Sequence, residues 1–200
     1  MKKIISLIVF SFIFSTSQAQ STKGRTALGV SISGIGDNTA FHLTSLDGGG
    51  SYSGKGYYSL AITYLRSLPN KFDLETGVEY GKNSYHFENS SVGPDVDASH
   101  NAYLSLVEIP ITVRFNLSQY FFVNGGLLLD FDVTKEKQLD NQTGMGTILG
   151  AGAKYDFKST PIGLFINPFL KYRPLIPFTS KKYHLRTREI GFRIGAVYLF

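Results

Sequence analysis

Eight times along the chain, apolar residues alternate with polar or small ones at a period of two, and almost every charge in these runs falls on one of the two faces. A β-strand turns successive side chains to opposite faces, so this period marks strands and also assigns each residue a side. The runs are Thr26–Ser33, Tyr57–Leu68, Phe72 to about Phe87, Tyr103–Leu117, Tyr120–Thr134, Thr147–Phe157, Gly163–Arg173 and Arg188–Phe200. The fourth is the clearest: Val107, Ile109, Ile111, Val113, Phe115 and Leu117 alternate with Glu108, Thr112, Arg114 and Asn116. No segment beyond the first twenty residues carries a helical period, so the fold class is all-β.

The connections alternate as strictly as the faces. A segment of about 23 residues separates the first two runs, and Pro69-Asn70-Lys71 alone separates the next two. Residues 88–102, 135–146 and 174–187 are the other long connections, while Ser118-Gln119 and residues 158–162 are short. Long loops on one side and tight turns on the other mark an up-and-down transmembrane barrel of the outer-membrane type, with the tight turns in the periplasm. The expected architecture is an eight-stranded antiparallel β-barrel with both termini on the tight-turn side.

The first residues support export. Lys2 and Lys3 precede an apolar run from Ile4 to Phe14, and Ser17 and Ala19 supply the small side chains of a cleavage site. This is the layout of a secretory signal peptide. The apolar run is shorter than the ~20 residues a membrane helix needs. The expected division is a signal peptide over 1–19 and a barrel domain over 20–200. The chain has no Cys, which excludes a disulfide-stapled secreted fold and a thiolate metal site. Without Lys2 and Lys3, 18 basic residues stand against 15 acidic ones, a charge of +3 that is too mild for a nucleic-acid partner.

The two faces differ in a way that decides what lies outside. One is nearly free of charge over the ~9–11 residues that a tilted strand needs to cross the hydrocarbon. The other holds Glu75, Glu79, Glu108, Arg114, Lys154, Arg173, Glu189 and Arg193, the expected lumen charges, together with Asp73, Asp130, Asp132, Asp156 and Lys171. A soluble lipocalin-type barrel would place its apolar set inside and its charges in water. Apolar residues outward and charges inward fit a lipid exterior. Similar heights on neighbouring strands pair Glu75 with Arg114, and Arg173 with Glu189. Arg66 is on the outward face but close to a tight turn, within reach of headgroups. Pro110 and Pro168 sit inside strands, where prolines usually mark bulges or edges, so bulges are expected there.

Candidate chemistry is sparse. His42, His86, His100 and His184 lie in or near the long connections, and none forms an i, i+2 or i, i+4 metal pair. His86 has Ser84 and Glu88 nearby, but no nucleophile motif accompanies them. Asp95 and Asp97 lack the pattern of a calcium loop, and Gly48-Gly49-Gly50 lacks the strand-to-helix setting of a phosphate loop. No catalytic, cofactor or metal residues are assigned. Lys181, Lys182, Arg186 and Arg188 form a basic group in and beside the last long connection, suited to lipopolysaccharide phosphates.

The stretch Leu106-Val107-Glu108-Ile109-Pro110-Ile111-Thr112-Val113-Arg114-Phe115 resembles a strand common in PorT-like small outer-membrane barrels. Phe192, Ile194, Ala196 and Tyr198, at every second position before the terminal Phe200, resemble the C-terminal insertion signal that the barrel-assembly machinery reads. The resemblance implies an integral barrel in the outer membrane of a Gram-negative bacterium, with that machinery as a partner during insertion. It implies no single biochemical role.

Three functions suit these features: a structural or interaction scaffold acting through its outer loops, a narrow porin-like channel, and a lipid-modifying enzyme. Eight strands leave just enough interior for side chains, which favours the scaffold. Its protein partner is not named by the sequence. The mature protein should sediment with the outer membrane, resist carbonate extraction, and migrate faster on gels when unheated. Release by carbonate would contradict the membrane placement.

Overall fold

The computed structural model describes residues 25–41, 51–88, 100–135, 139–179 and 184–200. Residues 1–19, expected to be a signal peptide, lie outside them, as do Asp95 and Asp97, Gly48–Gly50 and His42. The strands are β1 (Thr26–Phe41), β2 (Ser51–Ser67), β3 (Phe72–Glu88), β4 (His100–Asn116), β5 (Phe121–Asp132), β6 (Gly144–Asp156), β7 (Ile162–Pro177) and β8 (Arg186–Leu199). Each pairs antiparallel with its neighbour in sequence, and β1 pairs with β8, closing the barrel. Phe200 N–H donates to the Thr26 carbonyl at 2.8 Å, and Thr26 N–H donates to the Phe200 carbonyl at 3.2 Å, so the last residue fastens the seam.

The alternation of connections holds. The tight-turn side has four, four and five residues between strands, against nine, eleven, eleven and eight on the other. At the first tight turn, Asn70 (φ 62°) and Lys71 (φ 67°) adopt the left-handed conformation that reverses the chain.

Several strands reach further toward the long connections than the period suggests. β1 continues eight residues past Ser33, and β2 begins six residues before Tyr57. The reason is a bulge between Ser33 and Ile35, which reverses the phase of alternation. Ala27, Gly29, Ser31 and Ser33 point inward before it, whereas Asn38 and Ala40 point inward after it. A second bulge lies between Gly54 and Gly56, where Gly56 has φ 111°, and a third between Met145 and Thr147. A bulge adds one residue to one strand, so a period-two reading stops at it.

The bulges expected at Pro110 and Pro168 are not there. Pro110 sits opposite Leu128 and Pro168 opposite Phe192, in uninterrupted register on those sides. Opposite their other neighbours, at Gly77–Val78 and Ala151–Gly152, the ladder has a gap, but the register is the same above and below it. A proline lacks one donor and therefore weakens the ladder toward one neighbour only. No extra residue is needed to absorb that loss.

The outward face is apolar across its middle, where Val30, Ile32, Leu60, Ile62, Val78, Leu149 and Ile194 are all exposed. Charges and rings mark its edges. On the tight-turn side Phe72 packs on Phe115 with centroids 4.9 Å apart, and Tyr120 stacks on Tyr155 at 6.2 Å. At the opposite edge the Lys82 ammonium lies 5.2 Å from the centre of the Tyr103 ring. Lys82 is level with Tyr58 on β2, and Arg66 lies eight residues further along that strand. Eight residues at ~3.3 Å each make about 26 Å along the strand, in keeping with an apolar band ~25 Å tall between aromatic girdles.

Inside, the lumen holds apolar side chains as well as charges. Tyr85, Ala102, Leu104, Leu106, Ala40 and Leu185 form a buried cluster at the long-connection end. Tyr57, Leu128, Ile148 and Phe169 form a second. The inward charges of the sequence predict a lumen filled by charged side chains, and these apolar groups share it. Bulky apolar groups fill it without adding hydrogen-bonding groups that need partners.

This partition predicts an asymmetric response on β2. Ile62→Arg, at mid-band, should destabilise protein refolded in lipid vesicles by ~2–4 kcal/mol, whereas Arg66→Leu, at the interface, should change stability by ~1 kcal/mol or less. Denaturant titration in vesicles measures both, and equal effects would contradict the placement of the band.

Candidate functional site

Four strands contribute a chain of ion pairs that crosses the barrel. Glu75 and Glu79 come from β3, Glu108 and Arg114 from β4, Lys171 and Arg173 from β7, and Glu189 and Arg193 from β8. In an eight-strand barrel these two pairs of strands stand on opposite walls. Strand alternation sends all eight side chains inward, and all are buried.

The chain starts at Arg114, whose Nη2 lies 2.8 Å from Glu75 Oε2. Arg193 joins Glu75 at 3.4 Å to Glu79 at 3.2 Å. Lys171 Nζ then lies 2.8 Å from both Glu79 and Glu108. Arg173 joins Glu108 at 3.2 Å to Glu189 at 3.1 Å, and Glu189 is also 4.0 Å from Lys171. Four acids thus meet four bases, and each acid touches at least one base.

Lys171 has a specific role here. Glu79 and Glu108 are direct partners on neighbouring strands. Two carboxylates so placed repel in a low-dielectric interior. The ammonium from the opposite wall donates to both at once. Its charge removes the repulsion, and its position ties β7 to β3 and β4 through the lumen.

Aromatic rings flank the bases. The Arg114 guanidinium lies 4.1 Å from the centre of the Phe122 ring and 5.6 Å from that of Phe165. Lys171 and Arg193 lie 5.3 and 5.6 Å from the centre of Phe169. These contacts suit cations held away from water.

The structure thus brings together seven of the eight lumen charges that the sequence singles out, including the Glu75–Arg114 and Arg173–Glu189 pairs. Lys154 stands apart. It is half-buried and lines a vestibule of about 240 Å³ at the tight-turn end with Arg25, Asp73, Asn116 and Asp156. β6 turns it inward below the level of the lattice. Asp130, opposite Glu108 on β5, is fully buried but lies outside the chain of ion pairs.

Reading the inward face only for charge overlooks Phe122, Phe165 and Phe169. Their positions in the alternation were the available signal. Lys171 was visible as an inward charge, but its two-acid contact depends on distances across the lumen, which neighbour-to-neighbour register does not supply.

The remaining candidates lie elsewhere. Lys181 and Lys182 are outside the described residues. Arg186 and Arg188 are half-buried on the outward face at the long-connection end of β8. Phe192, Ile194, Tyr198 and Phe200 are exposed to the exterior, with Ala196 half-buried between them. His86 Nδ1 lies 3.1 Å from Asn101 Oδ1, and His100 packs on Phe87 with ring centroids 4.9 Å apart.

Among solved structures, the barrel is similar to the outer membrane protein AlkL in DMPC lipid bilayers, at 12% identity over 92% of this chain and 94% of that one, with a TM-score of 0.51. It is also similar to Ail, the attachment invasion locus protein of Yersinia pestis, at 13% identity, 90% and 100% coverage and a TM-score of 0.44. OprG from Pseudomonas aeruginosa is similar at 12% identity, 88% and 96% coverage and a TM-score of 0.46. At such identities the likeness is one of fold. No curated protein sequence matches the chain. The family model described as outer membrane protein beta-barrel domain matches residues 5–167, most of the chain. With its closed eight-strand wall, apolar exterior and charged interior, the chain belongs to this family of β-barrels of the Gram-negative outer membrane.

Proposed function

We propose that the protein is a sealed barrel serving as a structural and interaction scaffold, presenting its long outer connections to partners while its wall anchors them in the membrane. The observation that carries this reading is the ion-pair chain reaching from Arg114 on one wall to Glu189 on the other. An eight-strand barrel has room only for side chains or a narrow path between them. Here eight of the charges that could line such a path are engaged with one another, and Asp130 is buried opposite Glu108 on β5. The apolar cluster around Tyr85, Leu104 and Leu106 stands above them.

A porin-like channel is the competing reading. It would need water to replace several of these contacts, and each buried ion would then lose a partner it requires. A lipid-modifying enzyme would need a nucleophile, a base and an orienting group in contact. In the ion lattice the carboxylates are held by the bases beside them, and the Lys171 amine donates to Glu79 and Glu108 at once, so none stands ready as a nucleophile.

Planar-bilayer recording on refolded protein tests the scaffold reading. The unmodified barrel should give no stable conductance, and a lasting solute-permeable current would overturn it. Lys171→Met leaves Glu79 and Glu108 facing each other, so it should destabilise the barrel by ~3–5 kcal/mol, the cost of breaking a buried pair. Urea titration in vesicles reads this loss, and an unchanged midpoint would show that the lattice does not hold the wall.

A further inference from the structure

On the outer surface of the barrel, at the long-connection end, a groove of about 630 Å³ runs across β1, β8 and β7. Thr39 pairs with Arg188, Phe41 with Arg186, and Tyr172 with Arg188, so the three strands bring these side chains to one height. Phe41 and Tyr172 meet edge to face with ring centroids 6.3 Å apart, and Leu175 adds an exposed apolar wall. The groove opens away from the lumen, because the neighbouring Ala40, Thr187 and Glu189 are the residues that point inward and are buried.

Its two outward arginines, Arg186 and Arg188, contrast with Arg173, which also lines it but turns its guanidinium to Glu108 and Glu189 in the lumen, and with the other cations inside. Arg114, Lys171, Arg173 and Arg193 each contact a carboxylate. Among the described residues, no carboxylate lies within ion-pairing distance of Arg186 or Arg188. Arg188 stands one outward position above Ile190, where the apolar band of β8 begins. A pair of guanidinium groups at the upper edge of a hydrocarbon band faces the headgroup layer of the outer leaflet, and the planar donor fork of arginine matches phosphate oxygens.

We infer that this groove binds one phosphorylated glycolipid of the outer leaflet. Arg186 and Arg188 take the phosphate, and Phe41, Tyr172 and Leu175 receive the first part of an acyl chain. Both halves of the ligand are required: the arginines alone would accept any anion, and the apolar wall alone any hydrocarbon. The inference rests on the membrane placement of the barrel but not on a sealed lumen. A conducting barrel could carry the same groove, so the two readings fail separately.

The test is native mass spectrometry of the refolded mature protein in detergent, titrated with purified lipid A, with lipid A stripped of phosphate, and with phosphatidylglycerol. Lipid A should bind as a single retained molecule, and the stripped form and phosphatidylglycerol at least tenfold more weakly. The double variant Arg186→Gln/Arg188→Gln should lose about tenfold in affinity. Arg66→Gln, an outward arginine at the opposite edge, should retain full affinity. Equal binding of phosphorylated and stripped lipid by the unmodified protein would overturn the inference without recourse to any variant. Equal binding of phosphatidylglycerol, no retained lipid A, or an unaffected double variant would overturn it as well.

Discussion

Hydrocarbon offers a peptide group nothing to hydrogen-bond with, and an unpaired N–H or C=O inside it costs several kcal/mol. A strand can cross only if both its neighbours are strands, and a sheet only if its first and last strands meet. In this chain the meeting of β1 and β8 satisfies that condition, down to the reciprocal bonds between Thr26 and Phe200. Closure in turn leaves each strand with one face to lipid and one to a lumen. The alternation of side chains then sorts residues by what each medium accepts.

That sorting creates a second problem inside. Charges that lipid rejects must be accommodated in the narrow lumen of eight strands, and each buried ion carries a desolvation cost of several kcal/mol. The lattice answers this with equal numbers of acids and bases in mutual contact. Lys171, between Glu79 and Glu108, is the member that most depends on the whole barrel, since its partners belong to the opposite wall. Phe122 and Phe169 set their rings beside the cations Arg114 and Lys171. Outside, Arg186 and Arg188 stand on the outward face at the long-connection end of β8, clear of this lattice.

Much of this was legible in the chain. Every strand run coincides with a strand, because period two follows directly from backbone geometry and the lipid face tolerates few exceptions. Glu75 and Arg114 could be paired because they lie on adjacent strands near the same tight turn. The outer end of β1 was not legible, since the bulge at Ser33 and Ile35 shifts the phase and leaves Asp37, Asn38 and Thr39 resembling a loop. Pro110 misled in the opposite direction. A missing donor suggests a disrupted strand, yet its β5 neighbour keeps register and only the ladder toward β3 has a gap. The contact of Lys171 with Glu79 spans 92 positions and half the circumference, and only the closed barrel specifies it.

Between β3–β4 and β7–β8 the lumen is spanned by paired side chains rather than by a water path. The chain has no native cysteine, so single thiols report on this directly. Ser59 points into the lattice region, where its hydroxyl lies 2.6 Å from that of Ser33. Ser67 lines the vestibule at the tight-turn end. In protein reconstituted in vesicles, a charged methanethiosulfonate reagent should modify Ser67→Cys from the tight-turn side and leave Ser59→Cys untouched from either side. Labelling of Ser59→Cys from both sides, at a rate near that of Ser67→Cys, would show a continuous water path and contradict the account.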